Sequence, residues 1–313
     1  MKGIEVVQPG LFSTVQDLGR PGYGHLGISA CGAADALALR LANLLLANPP
    51  NAAGVELTLL GGHFRFHEAA WFVLTGAEFD ARLDASPVAL YAPRFARAGQ
   101  ELTLGDAAAG ARGYLAVGGG IATAPVLGSR STHVGSALGG LEGRALRRGD
   151  LLPLSDGAAR RPVQALLPGV LERLRPSEPA IRILDSAQTG EFPAPARERL
   201  SIETWTVQTH SNRMGVRLDG PAMESPRSGC MTTEGAPLGA IQVLPSGAPV
   251  ILFVDHQTTG GYPKIGCVLS ADLWRVAQLR PRDEVRFARV SPAEARQALL
   301  DQEELLRPEV AIA

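Results

Sequence analysis

The chain has 313 residues, and at about 150 residues per domain this length predicts two domains. Hydrophobic residues make up 45% of the chain and charged residues 19%, a balance typical of a folded protein with a core and not of a disordered chain. The 30 basic and 31 acidic residues give a net charge of −1, which argues against nucleic-acid binding and against attraction to an anionic membrane.

Cysteine usage and the start of the chain predict a cytoplasmic protein. Cys31, Cys230 and Cys267 are odd in number and far apart, so they form no disulfide framework and fit a reducing compartment. The first residues contain no apolar segment, so we expect no signal peptide. The longest uncharged stretch, residues 235–254, contains three prolines, and we therefore expect no transmembrane helix.

In the first half of the chain, short β-rich segments alternate with turns. The 36 glycines and 23 prolines favour many turns between strands. One helix is predicted over residues 34–46, because leucines recur there at helical spacing and two prolines follow. The predicted strands are residues 4–7, 55–60, 63–66, 71–75, 79–83, 101–104 and 114–117.

The second half repeats this pattern after a boundary rich in proline and arginine. A final helix is predicted from a capping box, with Ser291 as the N-cap and Glu294 three residues on. We predict a mainly β protein with few helices and two β-barrel-like domains, residues 1–165 and 176–290, followed by a helix and tail at 291–313. The predicted strands of this half are residues 181–184, 205–209, 241–244, 250–254, 265–269 and 284–290.

Several catalytic signatures are absent from the sequence. It contains no P-loop for nucleotide phosphates, no nucleophile elbow and no paired Cys and His motif for zinc. His63 and His67 are four residues apart, but the phenylalanines between them indicate a strand. A surface strand edge is a better interpretation of this pair than a metal site, and we predict no bound metal.

Polar residues next to glycines form a first cluster at residues 13–22. A tight turn accounts for its glycines. It does not call for Gln16, Asp17 and Arg20 together, a set that suits an amide or carboxylate ligand. A structural alternative, in which Asp17 pairs with Arg20 to brace the turn, is equally consistent with the sequence.

A second cluster, within residues 211–266, lies at the ends of predicted strands, where rigid scaffolds display binding groups. Tight turns explain Gly260, Gly261 and Pro263 but not the polar side chains around them. Lys264 is conspicuous because only two of the 30 basic residues are lysines. The candidate functional residues are Ser211, Asn212, Arg213, Glu234, Gln242, Gln257, Thr258, Thr259, Tyr262 and Lys264.

Five motifs follow one another along the chain. They are TVQDLGRPG at residues 14–22, GSRST at 128–132, SNRMG at 211–215, PLGAIQV at 237–243 and QTTGGYPKIG at 257–266. Together they resemble the KipA family, also called allophanate hydrolase subunit 2 or the biotin-dependent carboxyltransferase family, which includes the C subunit of bacterial 5-oxoprolinase. The resemblance covers about residues 3–290.

The resemblance implies a cyclophilin-like β-barrel in the second domain. It also implies a role as the C subunit of an ATP-dependent 5-oxoprolinase, which converts 5-oxoproline to L-glutamate with two further components, a KipI-like B subunit and a LamB/YcsF-like A subunit. ATP is then needed by the complex, without a clear site on this chain, and the isolated chain need not be active. Two alternatives stay open: a carboxyltransferase component of a biotin-dependent urea or amide carboxylase, and a regulatory protein that antagonises KipI.

The chain lacks a biotinylation motif, so we expect no biotin on it. Because the implied substrates are small amides, Arg213, Gln257 and Lys264 are the groups expected to stabilise a developing oxyanion. Glu234 is expected to orient an N–H group, or to act as a base if burial tunes its pKa. The residues assigned to substrate binding are Gln16, Asp17, Arg20, Ser211, Asn212, Gln242, Gln257, Thr258, Thr259 and Tyr262.

Overall fold

Strands of alternating burial build a large β-sheet in each of two units of the chain. The computed structural model describes residues 2–162, 165–174, 179–226 and 231–312. Unit 1 comprises Met1–Arg20, Cys31–Glu172 and Leu305–Ala313, and unit 2 comprises Pro21–Ala30 and Arg173–Glu304. Cys230 lies outside the described residues, as do residues 176–178 at the start of the second predicted domain.

The sheet of unit 1 has the strand order β2-β3-β8-β4-β1-β9, and β5 pairs with β8, β6 and β7. Most of the buried residues along these strands are apolar, and the rings of Phe66 and Phe72 meet with centroids 5.4 Å apart. The strands are β1 Ile4–Gln8, β2 Phe12–Gln16, β3 Gly54–Thr58, β4 His63–Phe66, β5 Ala70–Leu83, β6 Ser86–Pro87, β7 Arg94–Ala96, β8 Glu101–Val117 and β9 Leu151–Leu152.

Two long strands replace four of the predicted short ones. Residues 71–75 and 79–83 belong to the single strand β5, and residues 101–104 and 114–117 belong to β8. The separation into short strands was wrong because the pairing of β5 with β8 shifts register three times between Gly76 and Ala81, and the ladder continues through these bulges. Gly76 has a φ of 82°, a conformation that a glycine adopts without strain.

A buried helix lies against the sheet of unit 1. The Asp35 side chain accepts a hydrogen bond of 2.8 Å from the Ala38 N–H and caps the helix at its N-terminus. Leu39 and Leu45 are fully buried, and they pack with Tyr114 and Val73 of the strands below. The helix ends before Pro49, because the residue that precedes a proline disfavours the helical conformation.

The sheet of unit 2 has the order β18-β11-β12-β15-β14-β17-β10-β19, with β10 and β19 parallel and the other pairs antiparallel. β13 and β16 form a separate antiparallel ladder. Trp205, Phe253 and Phe287 are buried in this unit. The strands are β10 Ile181–Leu184, β11 Trp205–Val207, β12 Gly215–Asp219, β13 Glu234–Gly235, β14 Ala240–Val243, β15 Pro249–Leu252, β16 Thr259–Gly260, β17 Lys264–Val268, β18 Glu284–Val285 and β19 Phe287–Arg289.

Helices are few, and the prediction of a mainly β protein with barrel-like sheets is confirmed. The predicted capping box is also confirmed, because Ser291 N–H donates to Glu294 Oε2 at 2.7 Å and Glu294 N–H donates to Ser291 Oγ at 3.3 Å. In the described ranges no helix is both long and apolar enough to cross a membrane. The α-helices are α1 Ala36–Leu45, α2 Val170–Leu174, α3 Ala194–Ile202, α4 Leu273–Ala277, α5 Pro292–Leu305 and α6 Pro308–Ala311.

Candidate functional site

The carboxylate of Asp17, in the first cluster, is buried in unit 1 and accepts four hydrogen bonds. Its donors are the Gly19 N–H at 2.8 Å, the Ser129 hydroxyl at 2.6 Å, the Arg130 N–H at 2.6 Å and the Ser131 hydroxyl at 2.5 Å. Three of these donors belong to the GSRST motif. The first two sequence motifs therefore interlock around one buried carboxylate.

Gln16 and Arg20 face the same segment of unit 1. The Gln16 side-chain amide donates to Thr14 Oγ1 at 2.9 Å and to the Thr132 carbonyl at 3.1 Å. The Arg20 guanidinium donates to the backbone carbonyls of Ser131 and Val126, and not to Asp17 as the structural alternative had it. All three candidates of the first cluster are thus buried and make hydrogen bonds within the fold, which describes a brace between two loops, although Arg20 Nη1 has no partner among the described residues.

In unit 2, strand pairing gathers several candidates of the second cluster. Gln242 on β14 lies opposite Lys264 on β17. Glu234 on β13 lies opposite Gly260 on β16. A Cβ atom on Gly260 would lie 2.8 Å from Gln242 Nε2 and 3.5 Å from Gln257 Nε2, so two side-chain amides meet beside this glycine. Any larger residue at position 260 would occupy the space next to them.

The centre of this arrangement is an ion pair between the Lys264 ammonium and Glu234 Oε1. The Lys264 side chain is 7% exposed, whereas that of Glu234 is 40% exposed. Gln188 donates a second hydrogen bond to the same carboxylate oxygen, from Nε2 at 2.7 Å. A half-exposed carboxylate is therefore held from the protein side by a buried cation and a buried amide.

Electrostatics determine which role suits Glu234. The hydrogen bond from Lys264, followed by that from Gln188, lowers the pKa of the Glu234 carboxyl below its ordinary value of 4.5. Burial opposes this shift but does not overcome it. The carboxylate consequently stays ionised near neutral pH, which suits an acceptor for an N–H group better than a general base.

Two of the other candidates in residues 257–262 are connected to neighbouring segments through their backbone carbonyls. Gln257 and Thr259 are exposed, and Thr258 is half-buried with its carbonyl accepting the Ala236 N–H at 3.0 Å. The Tyr262 carbonyl accepts a 3.4 Å hydrogen bond from Gln242 Nε2. Burial lowers the pKa of His256, whose Nδ1 lies 2.7 Å from the Gln257 carbonyl.

Arg213 forms a different contact. Its guanidinium holds Asp255 in a two-pronged ion pair, Nε to Oδ2 at 2.8 Å and Nη2 to Oδ1 at 2.9 Å, with both side chains at most 10% exposed. Asn212 Oδ1 accepts the Met214 N–H at 2.8 Å, and Ser211 Oγ accepts the Arg217 N–H at 3.0 Å. These bonds shape the turn before β12 and connect it to the end of β15, where the Asp255 N–H donates to the Arg213 carbonyl at 2.8 Å.

Sequence reasoning missed Gln188 and did not assign Asp255. Asp255 carried a usable signal, because it directly follows the predicted strand at residues 250–254 and lies two residues before the QTTGGYPKIG motif. Gln188 carried none, since it lies 46 residues before Glu234 in a segment without a motif. Among the described residues, no group of three or more His, Cys, Asp or Glu side chains is placed to hold a metal ion. His63 and His67 instead pair with Glu101 at 2.6 Å and with Glu5 at 2.8 Å.

Comparison with known families identifies the family of the chain. The family model described as "Carboxyltransferase domain, subdomain A and B" matches residues 26–289. The chain therefore belongs to the carboxyltransferase domain family, as the five motifs predicted.

Individual relatives resemble the chain over nearly its whole length. It is 39% identical over 304 residues to the C subunit of the Escherichia coli 5-oxoprolinase, covering 96% of this chain and 95% of that protein. It is 40% identical over 283 residues to the C subunit of the Haemophilus influenzae 5-oxoprolinase, covering 90% of each. The crystal structure of the K. lactis urea amidolyase matches 97% of this chain but only 20% of its own, with a TM-score of 0.90 and 30% identity.

Proposed function

We propose that this chain is the C subunit of an ATP-dependent 5-oxoprolinase, which opens the lactam of 5-oxoproline to give L-glutamate. The observation that carries the proposal is the end-to-end match to two proteins named as 5-oxoprolinase C subunits, at 39% and 40% identity. A chain that is similar over its full length to such proteins is expected to perform the same task in a hydrolase of several components.

The geometry around Glu234 supports an amide substrate. An amide group offers an N–H donor and a carbonyl acceptor, and the site offers a half-exposed carboxylate for the first and the side-chain amides of Gln242 and Gln257 for the second. The Lys264 ammonium supplies positive charge close to a carbonyl oxygen bound there, which stabilises negative charge as it develops.

The partners and cofactors are part of the proposal. A KipI-like B subunit and a LamB/YcsF-like A subunit complete the complex, and ATP is consumed by the assembly. Biotin is not carried by this chain. The absence of a biotinylation motif supports this last point, and the burial of Lys264 excludes one of the two lysines as an attachment site, because a biotinyl-lysine has to be exposed to be modified and to move.

The decisive experiment measures glutamate release from 5-oxoproline with and without ATP. The purified chain is assayed alone and then mixed with its KipI-like and LamB/YcsF-like partners. We expect ATP-dependent glutamate only in the complete mixture. A complete and assembled mixture that releases no glutamate contradicts the proposal.

The two lysines of the chain, Lys264 and Lys2, provide a matched test of the site within the same assay. Lys264→Ala removes the buried ammonium and is expected to lower kcat/KM by about tenfold or more, the effect of losing a hydrogen bond to a charged group. Lys2→Ala removes the other lysine, which is exposed, and is expected to leave activity unchanged. Size-exclusion chromatography of both complexes checks that assembly is intact.

One observation favours a second candidate, carboxyl transfer from carboxybiotin. It is the TM-score of 0.90 to a part of the K. lactis urea amidolyase. Transfer of carboxyl from carboxybiotin to urea or another amide by the wild-type chain, together with an inactive 5-oxoproline mixture, would support this candidate in place of the first.

A further inference from the structure

Gln188 is the side chain at the site that neither the sequence motifs nor the comparisons assign. It is 6% exposed. Because a carboxylate can only accept hydrogen bonds, the NH₂ end of the Gln188 amide must face Glu234, and this fixes the orientation of the whole amide.

This orientation leaves the oxygen of the Gln188 amide without a hydrogen bond to the described residues. Gln188 Oε1 is buried and has no hydrogen-bond partner among the residues that the structure describes. A buried acceptor without a partner is unfavourable by roughly 1–3 kcal/mol. A glutamine that served only to fill space is expected to avoid this cost, so we ascribe its position to the bond that it makes with Glu234.

The backbone around Gln188 is fastened to the strand that carries Lys264. Thr189 Oγ1 donates to the Ile265 carbonyl at 2.9 Å, and it accepts the Ser186 N–H at 2.7 Å. The Ser186 hydroxyl donates to the Lys264 carbonyl. The two donors to Glu234, the Gln188 amide and the Lys264 ammonium, therefore belong to one hydrogen-bonded frame.

Both donors reach the same carboxylate oxygen. Gln188 Nε2 and Lys264 Nζ bind Glu234 Oε1, so neither of them engages Oε2, and the side chain as a whole is 40% exposed. Two bonds on one oxygen restrict rotation of the carboxylate and leave the second oxygen without a bond to the frame. This arrangement presents a fixed acceptor, as precise recognition of an N–H group requires.

We propose that Gln188 is a positioning residue, which together with Lys264 fixes the Glu234 carboxylate so that its second oxygen accepts a hydrogen bond from the N–H group of an amide substrate. This inference rests on the proposed function for the identity of the amide, a lactam. The positioning of Glu234 by Gln188 is a property of the chain alone and can be tested separately.

The first test measures the titration of Glu234 directly in the full chain. Carbon-13 NMR of labelled glutamate carboxyl groups is recorded against pH, and the Glu234 signal is assigned from its loss in Glu234→Gln. Removing the Gln188 donor is expected to move the Glu234 titration to higher pH, because that donor favours the ionised form. Gln188→Leu and Gln188→Met, two variants of similar size, guard against a failure of either one to fold.

The second test measures the pH profile of the assembled complex with 5-oxoproline and ATP. Gln188→Met is expected to lower kcat/KM by about tenfold at neutral pH. Its acidic limb should shift to higher pH in the same direction as the NMR titration. A matched control is Gln208→Met, because Gln208 Nε2 also donates to a carboxylate, Asp219 at 2.6 Å, near the edge of the unit 2 sheet. That control should leave both measurements unchanged.

The outcomes separate this inference from the proposed function. An unchanged Glu234 titration in both Gln188 variants overturns the inference, whatever the activity of the complex. A shifted titration with an unchanged pH profile in an active complex also overturns it, since Gln188 would then act on Glu234 without consequence for the substrate. The third outcome is a shifted Glu234 titration in the Gln188 variants while the complete wild-type mixture has no oxoprolinase activity. It supports the positioning of Glu234 and counts against the lactam as its ligand.

Discussion

Both clusters place polar residues beside glycines, but their hydrogen bonding differs. In the first cluster, the Asp17 carboxylate is buried and accepts four bonds, all from backbone N–H groups or hydroxyls of unit 1. In the second, the Glu234 carboxylate receives two bonds on one oxygen and remains 40% exposed. A fully saturated carboxylate stabilises loops, whereas a partly saturated and exposed one remains able to bind a ligand.

This difference teaches that polar residues beside glycines do not by themselves identify a binding site. Loops that pack tightly need internal acceptors for their N–H groups as much as a ligand site does. The distinction lies in where the hydrogen bonds end, and we expect it to appear as separate losses of stability and of activity.

The largest expected effect is the loss of the Asp17 carboxylate. Asp17→Ala leaves four donors without their acceptor, and at about 1 kcal/mol each it should lower the free energy of unfolding by about 4 kcal/mol. Urea denaturation measures the change. Asp80→Ala serves as the control, because the Asp80 side chain is 74% exposed and lies 3.7 Å from Arg82. Equal stability of the two variants would contradict the description of the first cluster as a brace.

The next effect concerns Arg213, which the sequence assigned to catalysis. Arg213→Ala leaves Asp255 buried without its cation, and we expect a loss of about 3 kcal/mol in the free energy of unfolding. The double variant Arg213→Ala/Asp255→Ala should lose clearly less than the sum of the two single variants, because it removes both charges. Urea denaturation of all three variants measures this coupling. Strict additivity would show that the pair contributes little, and the catalytic assignment of Arg213 would then gain weight.

The sequence predicted elements well wherever one local pattern determined them. The strand at His63–Phe66 and the capping box of α5 depend on neighbouring residues alone, and both are confirmed. Strand β2 was missed because both of its faces are buried and its buried residues include the polar Ser13 and Gln16, so the alternation of apolar and polar residues is absent. The Gln16 side chain donates to the Thr132 carbonyl, more than a hundred residues away, and the Ser13 hydroxyl donates to the nearby Pro9 carbonyl. The sequence pattern indicates neither partner.

The candidate site could likewise be predicted only where its residues follow a local pattern. The motifs predicted that Glu234, Gln242 and Lys264 lie at strand ends, but which side chains meet depends on the pairing of β14 with β17 and of β13 with β16. Gln188 reaches the site because its turn is fastened to β17, and no local pattern around residue 188 encodes that contact.

A smaller effect distinguishes Glu234 from the brace. Glu234→Gln should lower kcat/KM of the assembled complex by about tenfold, because a neutral amide oxygen accepts a weaker hydrogen bond from a substrate N–H. The free energy of unfolding should fall less than in Asp17→Ala, since the side chain is half-exposed and the glutamine oxygen can still accept the hydrogen bond from the buried Lys264. Kinetics and urea denaturation of the same preparation measure both quantities. Glu142→Gln is a matched control, because the Glu142 side chain is 71% exposed and pairs with Arg144 at 2.8 Å. A variant that loses stability but keeps its activity would place Glu234 with Asp17.

The smallest effect is the pH dependence of stability contributed by Glu234. Hydrogen bonds from Lys264 and then Gln188 hold the pKa of its carboxyl below 4.5 in the folded chain, whereas the unfolded chain titrates near that value. The contribution is therefore present in full above pH 4.5 and is lost as the pH falls through the folded pKa.

Urea denaturation of the wild type and Glu234→Gln between pH 7 and pH 3 isolates this contribution, because effects of other groups, including the lowered pKa of His256, cancel in the difference. The difference between the two proteins should be constant near neutral pH and shrink below pH 4.5. A difference that grew on acidification would mean that the folded pKa is raised. Glu234 would then hold a proton more readily than a free carboxyl and would suit a general base, and the frame formed by Lys264 and Gln188 would not be what governs its chemistry.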